Sequence, residues 1–346
     1  LQNGNAYNSI INSTTNGGGI LASHPSGDIT LTDLIISNNI AKNGGGIHFQ
    51  RNNYNSSSGN LFTLKNIDVI ENTVERSGGG LYVSGGSAIV SMTNMSIIDN
   101  SAGNGAGLFI RGDDNGTNML TDIVIRGNIA FDEGGGIYVD SETIISFYHV
   151  SITNNNAYYR AGGIKNIIND GSYSILDHVL VYNNVSNQNS GIYLQTYGNT
   201  TIGVFNMSNS IVWNNIPESF GHEDDNDNQH IVISYSDIFS SNSNSIFEGS
   251  GNINSMPLFC DPVNNVFTLA DNSPCKNSGE GGTYMGAYDV GDCGDISSGC
   301  LIEQACNFCS GCNTDNGSCY YASEYTDCSG NCLDGFTADD CGICGG

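Results

Sequence analysis

The side chains that follow a recurring glycine–aliphatic motif are the first candidates for ligand chemistry. Each comes directly after the aliphatic residue of the motif, and most carry a ring. Rings at equivalent positions of successive repeats can stack on sugar rings or on an apolar partner surface. They can equally stack on one another and only stabilise the fold. The residues are His48, Tyr82, Phe109, Tyr138, Lys165 and Tyr193.

Three charged residues in the same region suggest acid–base chemistry. Arg111 and Asp140 each lie three residues after the aliphatic residue of a motif, and Lys165 lies one residue after its own. A basic side chain beside a carboxylate on neighbouring repeats can transfer protons. The same residues also fit an ordinary solvated ion pair.

The densest run of carboxylates favours calcium as a ligand. Glu223, Asp224, Asp225 and Asp227 lie close together in the sequence, and oxygen ligands at this density suit Ca²⁺. The segment lacks the glycine and the distal glutamate of an EF-hand loop, so a solvated loop is the alternative. The sequence requires no cofactor, and Ca²⁺ is the ion that these carboxylates would bind.

The cysteines predict a disulfide framework. All 12 lie between Cys260 and Cys344, and this even number and density are typical of an oxidising compartment. Three of them have a spacing that also suggests a metal site, but Cys319 does not follow at the spacing of the bacterial ferredoxin run. We therefore expect all to pair: Cys260, Cys275, Cys293, Cys300, Cys306, Cys309, Cys312, Cys319, Cys328, Cys332, Cys341 and Cys344.

The elements that position these residues follow from the repeat itself. The aliphatic residues, here called anchors, recur about every 28 residues, and an asparagine lies eight or nine residues before each anchor. Two triplets in each repeat alternate apolar and variable residues, which predicts short strands with one buried face. Such a unit buries its apolar face only by stacking on its copies. The anchors are Ile20, Ile47, Leu81, Leu108, Ile137, Ile164 and Ile192.

The repeat predicts an all-β chain in which residues 1–290 form a parallel β-helix, with coils of about 28 residues. Residues 291–346 form a small cysteine-rich, disulfide-stapled module. Two buried columns are expected, one of them formed by the anchors from Ile47 onward. The other lies on the strand before each asparagine and comprises Ile36, Val69, Ile97, Ile125, Ile152 and Val181.

With these residues in view, the chain resembles the right-handed, pectate-lyase-like parallel β-helix proteins of bacterial surfaces. Its glycine–aliphatic motif with an upstream asparagine is similar to the repeats of polymorphic outer-membrane adhesins. The stretch 233–289 looks like the terminal coils of such proteins, and its spacing suggests a Cys260–Cys275 bridge that closes the last coil. Beyond Cys293 the chain resembles cysteine-rich modules of secreted Bacteroidota-type proteins.

The charge and the apolar pattern of the chain exclude some classes of binding partner. The net charge of −26 disfavours nucleic acid and anionic lipid, and no apolar run is long enough for a membrane span. We expect a secreted or cell-surface, non-enzymatic structural or adhesive protein that presents one face to a polysaccharide or a surface protein. The alternatives are a polysaccharide lyase or glycosidase, which the resemblance implies, and a self-associating filament subunit. No Gly-His-Gly or Arg-Ile-Lys motif of the pectin-hydrolase type is present.

Overall fold

The computed structural model describes most of the chain, and the chain divides into two compact units. The first comprises residues 1–257 and 274–289 and is called the β-helix unit, and the second comprises residues 258–273 and 290–346 and is called the cysteine-rich unit. The described residues are 16–23, 27–50, 61–84, 89–111, 116–140, 143–169, 171–196, 203–224, 230–239, 249–315, 318–323, 325–329 and 331–333.

The β-helix unit is a parallel β-solenoid of about seven turns, as the repeat predicted. The anchors begin the strands of an eight-stranded sheet, here called the anchor sheet, and successive anchors pair in register. Its strands are Ile20–Ser23, Ile47–Gln50, Leu81–Ser84, Leu108–Arg111, Ile137–Asp140, Ile164–Ile168, Ile192–Thr196 and Phe220–Asp224.

A ten-stranded long sheet contains the second predicted strand of each repeat. Most of its strands begin about six residues earlier than the sequence predicted and bend at a residue with positive φ, such as Asp122 or His149. Because a strand that continues through such a bend changes direction, one strand covers two faces of the coil. The strands are Ile29–Ser37, Leu61–Ile70, Ile89–Ile98, Thr117–Arg126, Ile144–Thr153, Tyr173–Tyr182, Val204–Ser208, Ile211–Trp213, His230–Ser234 and Asp237–Ile238.

A six-stranded short sheet follows the asparagines and was not predicted. Its inward side chains are mainly alanines, which form a small buried cluster of their own with Val74. Alanine carries a weak hydrophobic signal, and the strands are only two to five residues long, so period-two alternation is hard to recognise there. The strands are Ile40–Asn43, Thr73–Ser77, Ser101–Ala102, Ile129–Ala130, Asn156–Arg160 and Val185–Gln188.

The apolar core runs along the inside of the solenoid and confirms the predicted register. All six residues of the column that begins at Ile36 are fully buried, and the anchors from Ile47 to Ile192 are at most 2% exposed. Both columns belong to one continuous cluster of buried residues. The alternation therefore correctly identified the inward residues of both strands.

The asparagines form a hydrogen-bonded ladder inside one corner. From Asn39 to Asn184, the Nδ2 of each residue donates to Oδ1 of the asparagine in the next coil at 2.9–3.0 Å, and its backbone N–H donates to the same oxygen. These amides are buried, so each unmade bond would leave a desolvated polar group. The ladder comprises Asn39, Asn72, Asn100, Asn128, Asn155, Asn184 and Asn215.

Glycine is required where the chain turns back toward each anchor. Gly134 has φ +69°, a conformation that costs most other residues energy. A Cβ on Gly136 would lie 2.7 Å from the carbonyl oxygen of Gly163 and 2.9 Å from Cγ2 of Ile152. The glycine motif therefore has a structural role in closing each coil.

The cysteine-rich unit is held by disulfides and contains little regular structure. Four bridges are described, Cys260–Cys293, Cys300–Cys319, Cys306–Cys328 and Cys309–Cys312, and Cys332 is also disulfide-bonded. Disulfides rather than a metal site therefore hold Cys306, Cys309 and Cys312. The short elements of the unit are Phe259–Asp261, the 3₁₀ turn Pro262–Asn264, Val266–Leu269, Ser298–Gly299 and Thr314–Asp315.

Two predictions about the cysteines are wrong. Cys260 pairs with Cys293 and not with Cys275. Cys275 is a buried thiol of the β-helix unit whose Sγ donates a hydrogen bond to Oδ2 of Asp237 at 3.1 Å. An even count of cysteines cannot show that one of them is enclosed by the solenoid, so full pairing was the wrong inference. Cys341 and Cys344 lie outside the described residues.

Candidate functional site

The residues after the anchors form one stacked column on the outer side of the anchor sheet, here called the outer column. The ring centroids of His48 and Tyr82 are 4.6 Å apart, those of Tyr82 and Phe109 are 5.2 Å apart, and those of Phe109 and Tyr138 are 5.0 Å apart. The rings are nearly parallel. Neighbouring rings therefore cover each other's faces, as a structural ladder requires.

The outer column is less accessible than the sequence suggested. His48, Phe109, Lys165 and Tyr193 are buried, while Tyr82 and Tyr138 are half-buried. Of the six residues, Tyr82 and Tyr138 are therefore the ones that solvent partly reaches. The alternation of apolar residues along a strand predicts on which side of the sheet a residue lies. Whether solvent reaches that residue depends on the neighbouring side chains, including those of other coils. Ligand binding by the column stays a prediction.

Arg111 and Asp140 face each other on adjacent strands, but Lys165 does not join them. Nε of Arg111 lies 3.9 Å from Oδ2 of Asp140, and both side chains are substantially exposed. Lys165 lies in the outer column opposite Tyr138 and contacts other partners. The first two residues form a solvated ion pair of small energetic value, so the three predicted residues do not make one acid–base site.

Lys165 lies at the centre of a different group, here called the charged cluster: Glu133, Arg160, Lys165, Tyr193 and Glu223. Its Nζ is 3.5 Å from Oε2 of Glu133, and its side chain has no solvent exposure. The amine also lies 4.1 Å from the ring centroid of Tyr193 and donates a 2.5 Å hydrogen bond to Oε1 of Gln195. The lysine is thus enclosed by a carboxylate, an amide and an aromatic face.

Arg160 occupies the solvent side of the charged cluster. Its Nη1 lies 3.1 Å from Oε2 of Glu223 and 2.9 Å from the hydroxyl of Tyr193, and that hydroxyl donates to the same Glu223 oxygen. The guanidinium carbon also lies 4.7 Å from the ring centroid of Tyr159. The arginine therefore connects the outer column with the short sheet.

Burial shifts the pKa values of the charged cluster. Desolvation lowers the pKa of Lys165 to about 8, with Glu133 opposing the shift, and desolvation raises the pKa of Glu133. The hydrogen bond from Tyr193 lowers the pKa of Glu223, and burial raises that of Tyr193. The amine and the Glu133 carboxylate are therefore closer in proton affinity than exposed groups of these types.

An exposed group of rings lies on the short sheet beside the charged cluster and was missed by the sequence analysis. Phe131, Tyr158 and Tyr159 are 64%, 73% and 40% exposed, and they are called the aromatic patch. Ile129 and Val185 extend its apolar surface on neighbouring coils. One sequence feature could have predicted this patch. The residue three places after a ladder asparagine is aromatic in two successive repeats.

A second unpredicted group lies at the bend of the long sheet. His149 and His178 occupy positive-φ positions there. Nδ1 of His149 lies 3.4 Å from Oδ1 of Asp122, and its Nε2 lies 3.1 Å from the hydroxyl of Tyr284. This network attaches segment 274–289 to the bend within the β-helix unit.

Asp177 stabilises the same bend. Burial by itself would raise the pKa of Asp177, but hydrogen bonds from His178, Asn209 and Ser208 outweigh it and lower the pKa. The carboxylate is thus held ionised by its donors.

The predicted calcium ligands are only partly described. Glu223 contacts Arg160 and Tyr193, which occupy Oε2 of its carboxylate. Asp224 ends the strand Phe220–Asp224, and Asp225 and Asp227 lie outside the described residues. Among the residues that the structure does describe, no group of three or more acidic, histidine or cysteine side chains is placed to hold a metal ion. Calcium binding by this segment stays a prediction.

Comparison with known proteins finds one similarity. Residues 33–50 match the model of the Chlamydia polymorphic membrane protein repeat. The match covers part of one coil and includes the ladder residue Asn39, the turn Gly44-Gly45-Gly46 and the anchor Ile47. No curated protein and no solved structure matches the chain.

The repeat match and the disulfides both indicate a location outside the cell. The repeat match points to a bacterial surface protein, and disulfides fit an extracellular compartment. In the part of the chain that the structure describes, no helix is long and apolar enough to cross a membrane.

Proposed function

We propose that the chain is a secreted, non-enzymatic adhesive surface protein that binds a neutral polysaccharide through the aromatic patch. The observation that carries this proposal is the exposure of Phe131, Tyr158 and Tyr159 on neighbouring coils of a rigid sheet. Single exposed apolar residues are common on protein surfaces, but grouped rings mark interaction sites.

The surroundings of the patch favour a sugar. Arg160, Gln188 and Glu223 border it with hydrogen-bonding groups that already contact one another. A flat ring for stacking beside fixed polar groups suits an amphipathic sugar ring. Successive coils repeat at about 4.8 Å, so an extended chain can contact several coils. The net charge of −26 would repel a polyanion, which favours a neutral polymer.

Polysaccharide cleavage is the second candidate function. The lowered pKa of Lys165 beside Glu133 is typical of proton-transfer groups. The side chain of Lys165 is, however, fully enclosed, so a substrate cannot contact its amine without displacement of its neighbours. Adhesion therefore agrees better with the geometry.

A triple substitution, Phe131→Ser with Tyr158→Ser and Tyr159→Ser, tests the proposal. We expect binding to neutral polysaccharides on a glycan array to weaken roughly tenfold or more, because each stacked ring contributes about 0.5–1.5 kcal/mol. The fold should survive, since all three rings are exposed and leave no cavity.

The matched control replaces three exposed apolar residues of the long sheet, Ile89, Met119 and Tyr173, by serine. These side chains are 37–40% exposed, so this variant measures the effect of losing surface apolar area elsewhere. Equal binding by both triple variants would contradict the proposal. Degradation of the bound polysaccharide by the unmodified chain would favour the enzymatic alternative.

A further inference from the structure

We propose that Lys165 and Gln195 form an intramolecular isopeptide bond that joins two successive coils of the solenoid. The two residues lie on neighbouring anchor-sheet strands, where Lys165 pairs with Tyr193 and Ile167 pairs with Gln195. Nζ of Lys165 already lies 2.5 Å from Oε1 of Gln195. The amine therefore rests against the carboxamide that it would attack.

The surroundings meet the requirements for this reaction. An amine is a nucleophile only when neutral, and the enclosure of Lys165 away from solvent disfavours its charged form. Glu133 lies 3.5 Å from the amine and is largely buried, so it can accept the ammonium proton. Burial moves the pKa values of the two groups toward each other, which lowers the cost of this transfer.

The reaction is balanced without a further reactant. Lys165 gives one proton to Glu133, and its neutral Nζ attacks Cδ of Gln195. In the tetrahedral intermediate the Nε2 group takes up the proton held by Glu133, and the freed Glu133 carboxylate then accepts the second proton from Nζ. The Cδ–Nε2 bond breaks, ammonia leaves, and a secondary amide joins the two side chains. No oxidant is needed, and Glu133 acts as the proton shuttle between the two nitrogens.

Two other described positions of these residue types, Gln50 and Lys65, lack this combination. Gln50 occupies the same row of the anchor sheet in an earlier coil, but its neighbour in the outer column is His48, at 3.4 Å. Lys65 is exposed on the long sheet. These two residues provide controls of the same chemical types.

Intact mass spectrometry of the purified, reduced and alkylated chain tests the proposal. We expect a mass lower than that of the sequence by one ammonia, and a proteolytic digest in which the peptides of Lys165 and Gln195 remain joined. Separate substitutions Lys165→Arg, Gln195→Ala and Glu133→Gln should each restore the full mass. Gln50→Ala and Lys65→Arg should keep the loss.

The measurement on the unmodified chain decides the question even where a variant fails to fold. Recovery of the two peptides unlinked and at full mass from folded protein would overturn the proposal. So would an ammonia loss that maps to an asparagine instead. Glycan binding has no part in this test, so its outcome is independent of the proposed function.

Discussion

At the scale of single residues, Asp237 shows how the solenoid tolerates a buried acid. Its side chain has no exposure. Oδ1 accepts the backbone N–H of Ser255 at 3.0 Å, and Oδ2 accepts the thiol of Cys275. Burial raises the pKa of Asp237 to about 6, although both hydrogen bonds oppose the shift. The group therefore carries a proton in the folded chain at pH values where the unfolded chain has released it.

This shift predicts a pH dependence of stability. Between about pH 4 and about pH 6 the folded state binds more protons than the unfolded state, so the free energy of unfolding falls as pH rises through this window. Asp237→Asn removes this titration. Between pH 4 and pH 7, the unfolding free energy of the variant should rise by up to roughly 3 kcal/mol relative to that of the unmodified chain. Urea unfolding at a series of pH values measures this difference.

The control for this prediction is Glu75→Gln, at an exposed position of the short sheet. Its unfolding free energy should follow that of the unmodified chain across the same pH range. Parallel curves for Asp237→Asn and the unmodified chain would show that the buried carboxyl does not titrate in this window.

At the scale of structural elements, the asparagine ladder couples each coil to the next. Oδ1 of Asn128 accepts two bonds from Asn100, one from the backbone N–H at 2.9 Å and one from Nδ2 at 3.0 Å. Its own Nδ2 donates to Asn155 and to the carbonyl of Ile97. A single amide therefore satisfies polar groups of the coil before its own and of the coil after it.

Asn128→Ala should consequently lower the unfolding free energy by more than the few side-chain atoms that it removes would suggest. Two buried donors of Asn100 lose their acceptor, and each unsatisfied group costs roughly 1–3 kcal/mol. We expect a total loss of roughly 2–5 kcal/mol in urea unfolding. Asn156→Ala, at an exposed position one residue after the ladder, should change stability by less than about 0.5 kcal/mol. Similar losses in both variants would contradict the role of the ladder.

The elements also show which parts of the fold could be predicted. Anchors such as Leu108 and column residues such as Ile125 are apolar at the same position of nearly every repeat while the residue beside them varies, so their burial followed from the sequence. The short sheet did not, because its inward residues such as Ala130 give little hydrophobic contrast. The aromatic patch depends on that sheet, so Phe131 and Tyr158 were missed for the same reason. The enclosure of Lys165 depends on side chains from other coils, such as Glu133 and Gln195. These residues are far from Lys165 in the sequence, so no local sequence pattern predicts the contacts.

At the scale of the whole molecule, the two units are stabilised by different means. Both cysteines of each described bridge belong to the cysteine-rich unit. The described part of the β-helix unit is held by its continuous apolar core and its inter-coil hydrogen bonds. A small unit with few buried apolar residues needs covalent links, each worth about 2–4 kcal/mol.

Reduction of the disulfides should therefore destabilise the cysteine-rich unit and leave the β-helix unit folded. In dithiothreitol, we expect peptides from the cysteine-rich unit to lose protection in hydrogen exchange measured by mass spectrometry. Peptides from the anchor sheet should keep their protection, because no described disulfide crosses that sheet. A simultaneous loss in both units would show that the solenoid depends on the bridges, and unchanged exchange in both would show that they contribute little.

The ladder of asparagines has one further consequence, which concerns how such a chain lengthens. Each bond from one ladder asparagine to another runs toward the carboxyl-terminal side, so the ladder has a direction, and successive bonds polarise one another along the axis. A tandem duplication of one repeat at the genetic level inserts a coil that already faces the correct way and renews both hydrogen bonds. Whole repeats are thus the natural increments of evolution in this molecule, and each insertion moves the surfaces beyond it by one coil height, about 4.8 Å.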